Sequence, residues 1–288
     1  MDEWKPGDPE DWGDHVGVPD IAYMGYINNG YDNERPSYGT YSNKADILGK
    51  EAWNKYMDCK DMEALDLINR ALSYNNSHAN NWNTKAIILQ ELKRYAESDD
   101  CYKKSLRLRK SKIVIENRAR MLKKWSMKLS DEKNYNKALN IINEAIDELS
   151  KIQTEENLES YESHKRNIIF LRDYTRKCEE QERVLKNIGK EKLITLTGTK
   201  YYEEFEKVNI GSLLRLVKEP ENEQDPNAIA VYFKEEKIGY VANSDYTASD
   251  LTLKASELQD IGENTYAEYL MHYEKGYFIL KIKGDLNG

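Results

Sequence analysis

The sequence of 288 residues has no long hydrophobic run. No stretch approaches the roughly 20 consecutive apolar residues of a membrane-spanning helix, and hydrophobic residues make up only 39% of the chain. The first residues, MDEWKPGDPEDWGD, contain neither a basic region nor an apolar core, so they do not resemble a secretory signal. We therefore expect an intracellular, cytoplasmic protein with no membrane partner.

Cysteine and histidine are also scarce. The three cysteines are odd in number and widely spaced, which excludes a disulfide framework and paired zinc ligands and favours buried thiols. There is no glycine-rich phosphate loop ending in Lys and Ser or Thr, and the four histidines lie far apart in sequence. No catalytic motif is visible, so we expect that the protein is not an enzyme and that it binds no metal or other cofactor. A carboxylate pair brought together by the fold is the alternative that the sequence leaves open.

Proline is scarce and unevenly placed. Four of the six prolines lie in the first 45 residues, and none lies between residues 46 and 188. Residues 1–45 are acidic and rich in Gly, Pro and Tyr, which predicts an irregular leader. The alternative is an arm whose tyrosines and tryptophans dock on a folded neighbour or bind a ligand.

The proline-free stretch, residues 46–188, has apolar residues at helical spacing and an internal repeat. A small, large, small pattern occurs three times, the second copy 34 residues after the first and the third 40 residues after the second. The copies are Ala64, Ile68 and Ala71; Ser98, Tyr102 and Ser105; and Ala138, Ile142 and Ala145. This pattern resembles the tetratricopeptide repeat (TPR). It predicts a stack of three helical hairpins, capped by a long helix at about 155–188 that ends at Gly189.

From residue 191 the spacing becomes that of β-strands. Six short runs of β-branched and aromatic residues are separated by turn residues: LITLTG, SLLRLV, AIAVYF, KIGYVA, YAEYLMHY and YFILKIKG. Residues 244–262 are instead predicted to form one helix, with Ser249 or Asp250 as its N-cap and Gly262 after its end. The predicted fold class is thus multidomain α + β, a TPR-like helical stack followed by a small β-barrel with one helix at residues 191–284.

Three motifs of this C-terminal region follow one another: GTKYY at 198–202, EPENEQDPNAIAVY at 219–232 and KIGY at 237–240. Together they resemble the HIRAN domain, over about residues 191–284. This domain occurs in some helicase-like DNA repair translocases, so the resemblance implies a part in DNA repair. It also implies an OB- or SH3-like barrel that captures the 3′ end of single-stranded DNA.

The resemblance assigns the residues that stack on a base. Lys200 and Tyr201 correspond to the family's basic residue and stacking tyrosine, and Tyr202 lies beside them. An exposed tyrosine ring can stack on any base, because every base has a π-face. In the alternative, purely structural interpretation, one tyrosine of the pair packs inward and the other is exposed.

The 219–232 motif predicts a rigid, turn-dense loop, because its Asn and Asp side chains can bond their own backbone. The resemblance implies that this loop reads the strand end. Asp225 corresponds to the carboxylate that accepts a hydrogen bond from the terminal 3′-hydroxyl, and Asn222 holds the same loop. Arg215 is a further nearby cation. Gln224 stands where the DNA-binding members have an aromatic residue that closes over the base, so one stacking face is missing here.

Charge is distributed unevenly along the chain. The formal net charge is −8, residues 191–288 alone carry −7, and residues 103–128 contain eleven Lys or Arg and one acid. Since an acidic barrel attracts phosphate poorly, we expect the basic stretch to supply auxiliary phosphate contacts. The residues expected to make them are Arg118, Arg120, Lys123 and Lys124. Two alternatives are a solvated face of the repeat stack and a cationic groove for an acidic protein tail.

Taken together, the sequence predicts a non-catalytic adaptor. Its barrel would bind single-stranded DNA or a DNA 3′ end, and its repeats would bind an unidentified protein partner. One alternative is a protein-interaction scaffold in which DNA plays no role, which the acidic barrel and Gln224 favour. Another is the targeting subunit of a nuclease or helicase complex.

Overall fold

A computed structural model describes residues 40–285 except 153, 155, 259, 260 and 263. These residues form two compact units, and the boundary between the units along the chain lies between Ile169 and Phe170. The predicted leader, residues 1–45, lies outside the described residues except for its last six, which are helical rather than irregular. None of the helices within the described ranges is long and apolar enough to cross a lipid bilayer.

The first unit consists of antiparallel helical hairpins. Its helices are α1 (Thr40–Met57), α2 (Asp61–Tyr74), α3 (Ala79–Glu91), α4 (Tyr95–Leu108), α5 (Lys112–Asp131), α6 (Tyr135–Ser150) and the first part of α7 (Leu158–Ile188). The predicted small, large, small positions lie on α2, α4 and α6, and all nine are buried. The predicted repeat is therefore confirmed, because each second helix packs through the same three positions.

The turns inside the hairpins repeat as well as the helices do. Cys59, Lys93 and Lys133 all adopt a left-handed backbone with φ of 58°. After each of them, the next residue's N–H donates to the carbonyl five residues back, as in Lys60 to Lys55 at 2.9 Å. This is the Schellman helix end, which is usually built on glycine. The three turns have the same spacing as the helices, so the hairpin is the repeating unit and the stack is TPR-like.

A buried arginine joins the last two hairpins of this unit. Arg118 on α5 is only 1% exposed, and its Nε donates to Asp99 Oδ1 on α4 at 2.6 Å. Its two terminal nitrogens donate to Glu144 and Glu148 on α6. Burial favours the neutral guanidine, but the hydrogen bonds to Asp99 and Glu144 dominate and raise the pKa of Arg118. The prediction that Arg118 contacts phosphate is therefore wrong, because the side chain is buried and each of its three nitrogens donates to a carboxylate inside the protein.

The other predicted phosphate contacts also have partners within this unit. Arg120 Nε donates to Glu156 at 2.6 Å, and Lys123 Nζ donates to Ser160 Oγ at 2.5 Å. Lys124 Nζ is 3.6 Å from a carboxylate oxygen of Glu91 and stays half exposed. Acidic side chains elsewhere in this unit thus offset much of the positive charge of the basic stretch. This favours the alternative of a solvated face of the stack.

The second unit is a closed antiparallel barrel. Its strands are β1 (Leu193–Thr197), β2 (Leu213–Lys218), β3 (Ile229–Phe233), β4 (Glu236–Val241), β5 (Thr265–Tyr273) and β6 (Tyr277–Asp285), in the order β1-β4-β3-β2-β5-β6 around the barrel. All six predicted strands are present. Alternate residues such as Leu214 and Leu216 of β2 point into the core. The predicted fold class, helical repeats followed by a small barrel, is confirmed.

The second part of α7 belongs to the barrel unit, whereas the sequence analysis placed the whole helix in the repeat stack. Gln181 bonds the β5–β6 hairpin twice, donating to the His272 carbonyl at 3.1 Å and accepting from the Glu274 N–H at 3.0 Å. Leu185 is fully buried against Leu193, Tyr273 and Ile279. The apolar spacing of a helix does not say what covers it, so this division was not visible in the sequence.

The predicted helix at 244–262 is wrong. Within the described part of this segment the only helical residues form one 3-10 turn, Ala255–Glu257. Buried hydroxyls hold the chain in turns instead: Thr195 Oγ1 lies 2.8 Å from Thr252 Oγ1 and accepts from the Ser249 N–H at 3.1 Å. Leu253 then donates its N–H to the Leu193 carbonyl at 2.8 Å, so the segment pairs with β1.

We predict that Arg118→Leu destabilises the helical unit by about 3–5 kcal/mol, because three carboxylates lose their partner in a largely buried position. Trp53, Trp82 and Trp125 pack against the core of this unit and the barrel unit contains no tryptophan, so urea unfolding followed by tryptophan fluorescence is sensitive to this unit. Arg107→Leu is the matched control, since Arg107 is exposed on neighbouring α4, and it is expected to change stability by less than about 0.5 kcal/mol. Equal midpoints for the two variants would contradict the central role of Arg118.

Candidate functional site

A cleft of about 620 Å³ opens on the barrel between the loop after β2 and the turn after β4. Its walls are mostly amide, hydroxyl and carboxylate side chains. The described residues that line it are Thr197, Asn222, Glu223, Gln224, Asp225, Ala228, Tyr240, Val241, Asn243, Ser244 and Thr247. Two residues predicted from the sequence, Asn222 and Asp225, therefore lie together in one cleft.

The loop at residues 219–228 is held by its own side chains. Asn222 Oδ1 accepts from the N–H groups of Gln224 and Asp225, at 3.0 and 3.2 Å. Asp225 Oδ1 accepts from the Asn227 N–H at 2.8 Å, and the Asp225 carbonyl accepts from the Ala228 N–H at 3.0 Å. These Asx turns confirm the predicted rigid loop, because they replace the ladder bonds that an irregular segment lacks.

The carboxylate of Asp225 is oriented from both sides. Its second oxygen, Oδ2, accepts from Asn243 Nδ2 at 2.8 Å. Asn243 is fixed in turn, since its Oδ1 accepts from the Ser256 N–H at 2.9 Å. A carboxylate has about four acceptor positions, so Asp225 retains capacity for a donor on a ligand in the cleft.

Glu219 links the loop to the outer face of the barrel. Its carboxylate accepts from Lys237 at 2.6 Å, from the Tyr240 hydroxyl at 3.1 Å and from Asn222 Nδ2 at 3.1 Å. Burial alone would raise the pKa of Glu219, but these hydrogen bonds outweigh it and lower the pKa below its ordinary value of 4.5. Burial alone would lower the pKa of Lys237, but its hydrogen bonds with Glu219 and Tyr240 outweigh burial and raise it.

The cluster around Glu219 was not predicted from the sequence, although two of its members lie in the KIGY motif. The motif contains Lys237 and Tyr240, and the glycine between them has a structural reason. A Cβ at Gly239 would lie 2.4 Å from the Thr197 carbonyl oxygen, so only glycine lets β4 approach β1 this closely. Tyr240 pairs with Thr197 in the resulting register, at the edge of the cleft.

Of the predicted stacking tyrosines, Tyr201 ends a short 3-10 turn, Thr199–Tyr201, that follows β1, and Tyr202 comes directly after this turn. Tyr201 is 75% exposed, and Lys200 Nζ lies 4.9 Å from its ring centroid. Tyr202 is half-buried beside Tyr240, and burial and the nearby Tyr240 raise its pKa. The pair thus has one exposed and one packed tyrosine, and only Tyr201 presents an accessible ring.

Arg215 does not line the cleft. It lies on β2, where its guanidinium carbon is 5.0 Å from the ring centroid of Tyr232 on β3. Its closest carboxylate oxygen belongs to Glu235, at 3.9 Å, and that side chain is almost fully exposed. Arg215 is therefore a half-exposed cation on the outer face of the barrel.

Comparison with protein families matches residues 193–252 to the HIRAN domain, which confirms the resemblance for the barrel. The match runs from β1 to the segment after β4, so it includes every residue that lines the cleft. Among curated proteins, none is significantly similar in sequence to this chain.

Solved structures similar to this chain include TPR domains. The Arabidopsis OM64 TPR domain is 13% identical, with 44% of this chain and 98% of that chain covered and a TM-score of 0.34. The N-terminal domain of stress-induced protein-1 from C. elegans is 14% identical, with 44% and 98% covered and a TM-score of 0.35. The first TPR of Spaghetti, bound to an HSP90 peptide, is 14% identical, with 45% and 95% covered and a TM-score of 0.33. The evidence for the repeat remains the helices and turns described above.

We predict that Glu219→Gln loosens the 219–228 loop, because Asn222 and Lys237 lose a charged acceptor. Hydrogen exchange of peptides covering this loop should be faster than in the wild type at pH 7. Glu219 has a lowered pKa, so its contribution is present above pH 4.5 and is lost as the pH falls through the lower pKa of the folded state. The difference in exchange between variant and wild type should disappear below the pKa of Glu219 in the folded state. Glu235→Gln, on the neighbouring β3–β4 turn, should leave exchange unchanged both at pH 7 and below that pKa.

Proposed function

We propose that the chain is a non-catalytic adaptor whose barrel binds the 3′ end of single-stranded DNA and whose TPR-like repeats bind a protein partner. The observation that carries the DNA part is the oriented carboxylate of Asp225 in the wall of the cleft. The protein part rests on the repeated hairpins, which in TPR-like stacks form an extended binding surface.

The cleft suits a terminal nucleotide in size and chemistry. Its volume of about 620 Å³ lies within the range of small-molecule sites. A free 3′-hydroxyl donates a hydrogen bond to the free acceptor positions of Asp225. A 3′-phosphate or an internal phosphodiester has no such donor and is repelled by the carboxylate. The site therefore discriminates an end from the middle of a strand.

Stacking and hydrogen bonds, rather than phosphate attraction, account for the affinity in this proposal. The barrel region, residues 191–288, has a net charge of −7, and Lys237 is held by Glu219. Lys200 and Arg215 are the predicted cations that remain for the backbone of the strand. The accessible ring of Tyr201 supplies a stacking surface worth roughly 1–3 kcal/mol per base.

We expect the wild-type chain to bind a short single strand with a 3′-hydroxyl about 10-fold more tightly than the same strand with a 3′-phosphate, since a hydrogen bond to a charged group contributes about 1.5 kcal/mol or more. Asp225→Asn should reduce this preference to about 2-fold or less. Fluorescence anisotropy of labelled oligonucleotides measures both. Glu206→Gln makes the same charge change on an exposed residue that does not line the cleft, and it should keep the preference. An unchanged preference in Asp225→Asn would contradict end recognition.

We also expect a shallow salt dependence. If Lys200 and Arg215 neutralise about two phosphates, the observed binding constant should fall with a log–log slope of about −1.4. Anisotropy titrations between 50 and 200 mM salt, on the order of physiological strength, measure the slope. A slope steeper than about −4 would mean that a larger basic surface tracks the backbone.

A second candidate function is a protein-interaction scaffold without a DNA role. Two observations favour it: the negative charge of the barrel, and the carboxylates that offset residues 103–128. Absence of DNA binding at low salt, where electrostatic attraction is strongest, would decide for it. Affinity purification with and without nuclease treatment separates the two functions, because a direct protein partner remains bound after the DNA is removed.

A further inference from the structure

Tyr246 is the most exposed large hydrophobic residue of the barrel unit among the described residues. It is 95% exposed, so it makes almost no packing contribution to the fold. Its aromatic ring is therefore accessible for stacking on a ligand. Tyr246 was not among the residues predicted from the sequence.

The backbone that carries Tyr246 is fixed at the edge of the cleft. Ser244 and Thr247, on either side of it, both line the cleft. Their hydroxyl oxygens are 2.8 Å apart, and the Ala248 N–H donates to the Ser244 carbonyl at 2.9 Å. Asp245 is 2.5 Å from Lys254 Nζ, which anchors the same turn. The turn is therefore ordered although its aromatic side chain has no neighbour to pack against.

The cleft offers a planar ligand many polar contacts but few aromatic surfaces. Of the described residues that line it, Tyr240 alone is aromatic, and its hydroxyl is held by Glu219 and Lys237. Asn222, Gln224 and Asp225 present amides and a carboxylate to the cleft. A ring bound here finds hydrogen-bonding partners for its edge, but a stacking surface for its face must come from an aromatic residue outside the lining, such as Tyr201 or Tyr246.

We propose that Tyr246 stacks on a nucleobase at the 3′ end of the bound strand, beside the part of the cleft that its neighbours Ser244 and Thr247 line. This inference rests on the proposed function, since it assumes that a strand end occupies the cleft. Asn243 connects the two parts of the site: it lies in the segment that leads to Tyr246, and it orients the carboxylate of Asp225. Recognition of the base and of the hydroxyl therefore depends on one segment of chain.

The test is anisotropy with Tyr246→Ala and Tyr246→Phe in the full chain. The alanine variant should bind a 3′-hydroxyl strand about 10-fold more weakly, within the range expected for one base stacked on an aromatic ring, and the phenylalanine variant should bind like the wild type. A second strand lacks the bases of its last two nucleotides but keeps the 3′-hydroxyl. Wild type and Tyr246→Ala should bind this strand equally, because the stacking partner is gone. Ile210→Ala, which removes another exposed apolar side chain outside the cleft, should bind both strands like the wild type.

The outcomes separate the inference from the proposed function. If the wild type binds the strand and Tyr246→Ala binds it equally well, the role of Tyr246 is overturned and the proposed function stands. If Tyr246→Ala is equally impaired on the strand without terminal bases, or Tyr246→Phe is as weak as alanine, stacking is overturned in favour of another contact. If the wild type binds no strand at low salt, the proposed function fails and the inference fails with it.

Discussion

The pairing of partly buried charge determines how both units are built. In the helical unit one cation, Arg118, is surrounded by three carboxylates from two other helices. In the barrel one anion, Glu219, is surrounded by three donors from its own loop and from β4. Each arrangement offsets the cost of removing a charge from water by supplying several short hydrogen bonds. Each also fixes a geometry, because the partners come from separate segments that must all be in place.

This pairing also limits what is left for a ligand. The basic stretch looks like a phosphate-binding surface in sequence, but Arg118 is enclosed and Arg120 is bonded to Glu156. In the barrel, Lys237 is bonded to Glu219. Groups with remaining capacity are of another kind: acceptor positions on Asp225 and exposed aromatic rings. Such groups suit a hydroxyl and a base, which is why we propose a strand end rather than a phosphate backbone as the ligand.

Local patterns were predictable from the sequence, and long-range partners were not. The small, large, small repeat predicted the buried faces of α2, α4 and α6, because tight helix packing needs those sizes at that spacing. The strand pattern predicted all six strands of the barrel, and the Asn and Asp of the 219–228 loop predicted its turns. The partners of Arg118 lie 19 to 30 residues away, however, and no local pattern indicates them. The 244–262 segment has helical spacing, but buried hydroxyl bonds to Thr195 hold it in turns instead.

In the proposed function, preorganisation of the site compensates for the weak phosphate attraction of this barrel. A flexible loop must lose conformational entropy when it binds, which reduces affinity by roughly 0.5–1.5 kcal/mol for each side chain that becomes ordered. Here Asn222, Asp225 and Asn243 are hydrogen-bonded before any ligand arrives. The cost of ordering them is therefore met in folding, and each new contact with a terminal nucleotide contributes to binding almost in full. A small site on an acidic surface can then select a strand end without a basic groove, provided that the ligand presents a free hydroxyl and a planar base at the same time.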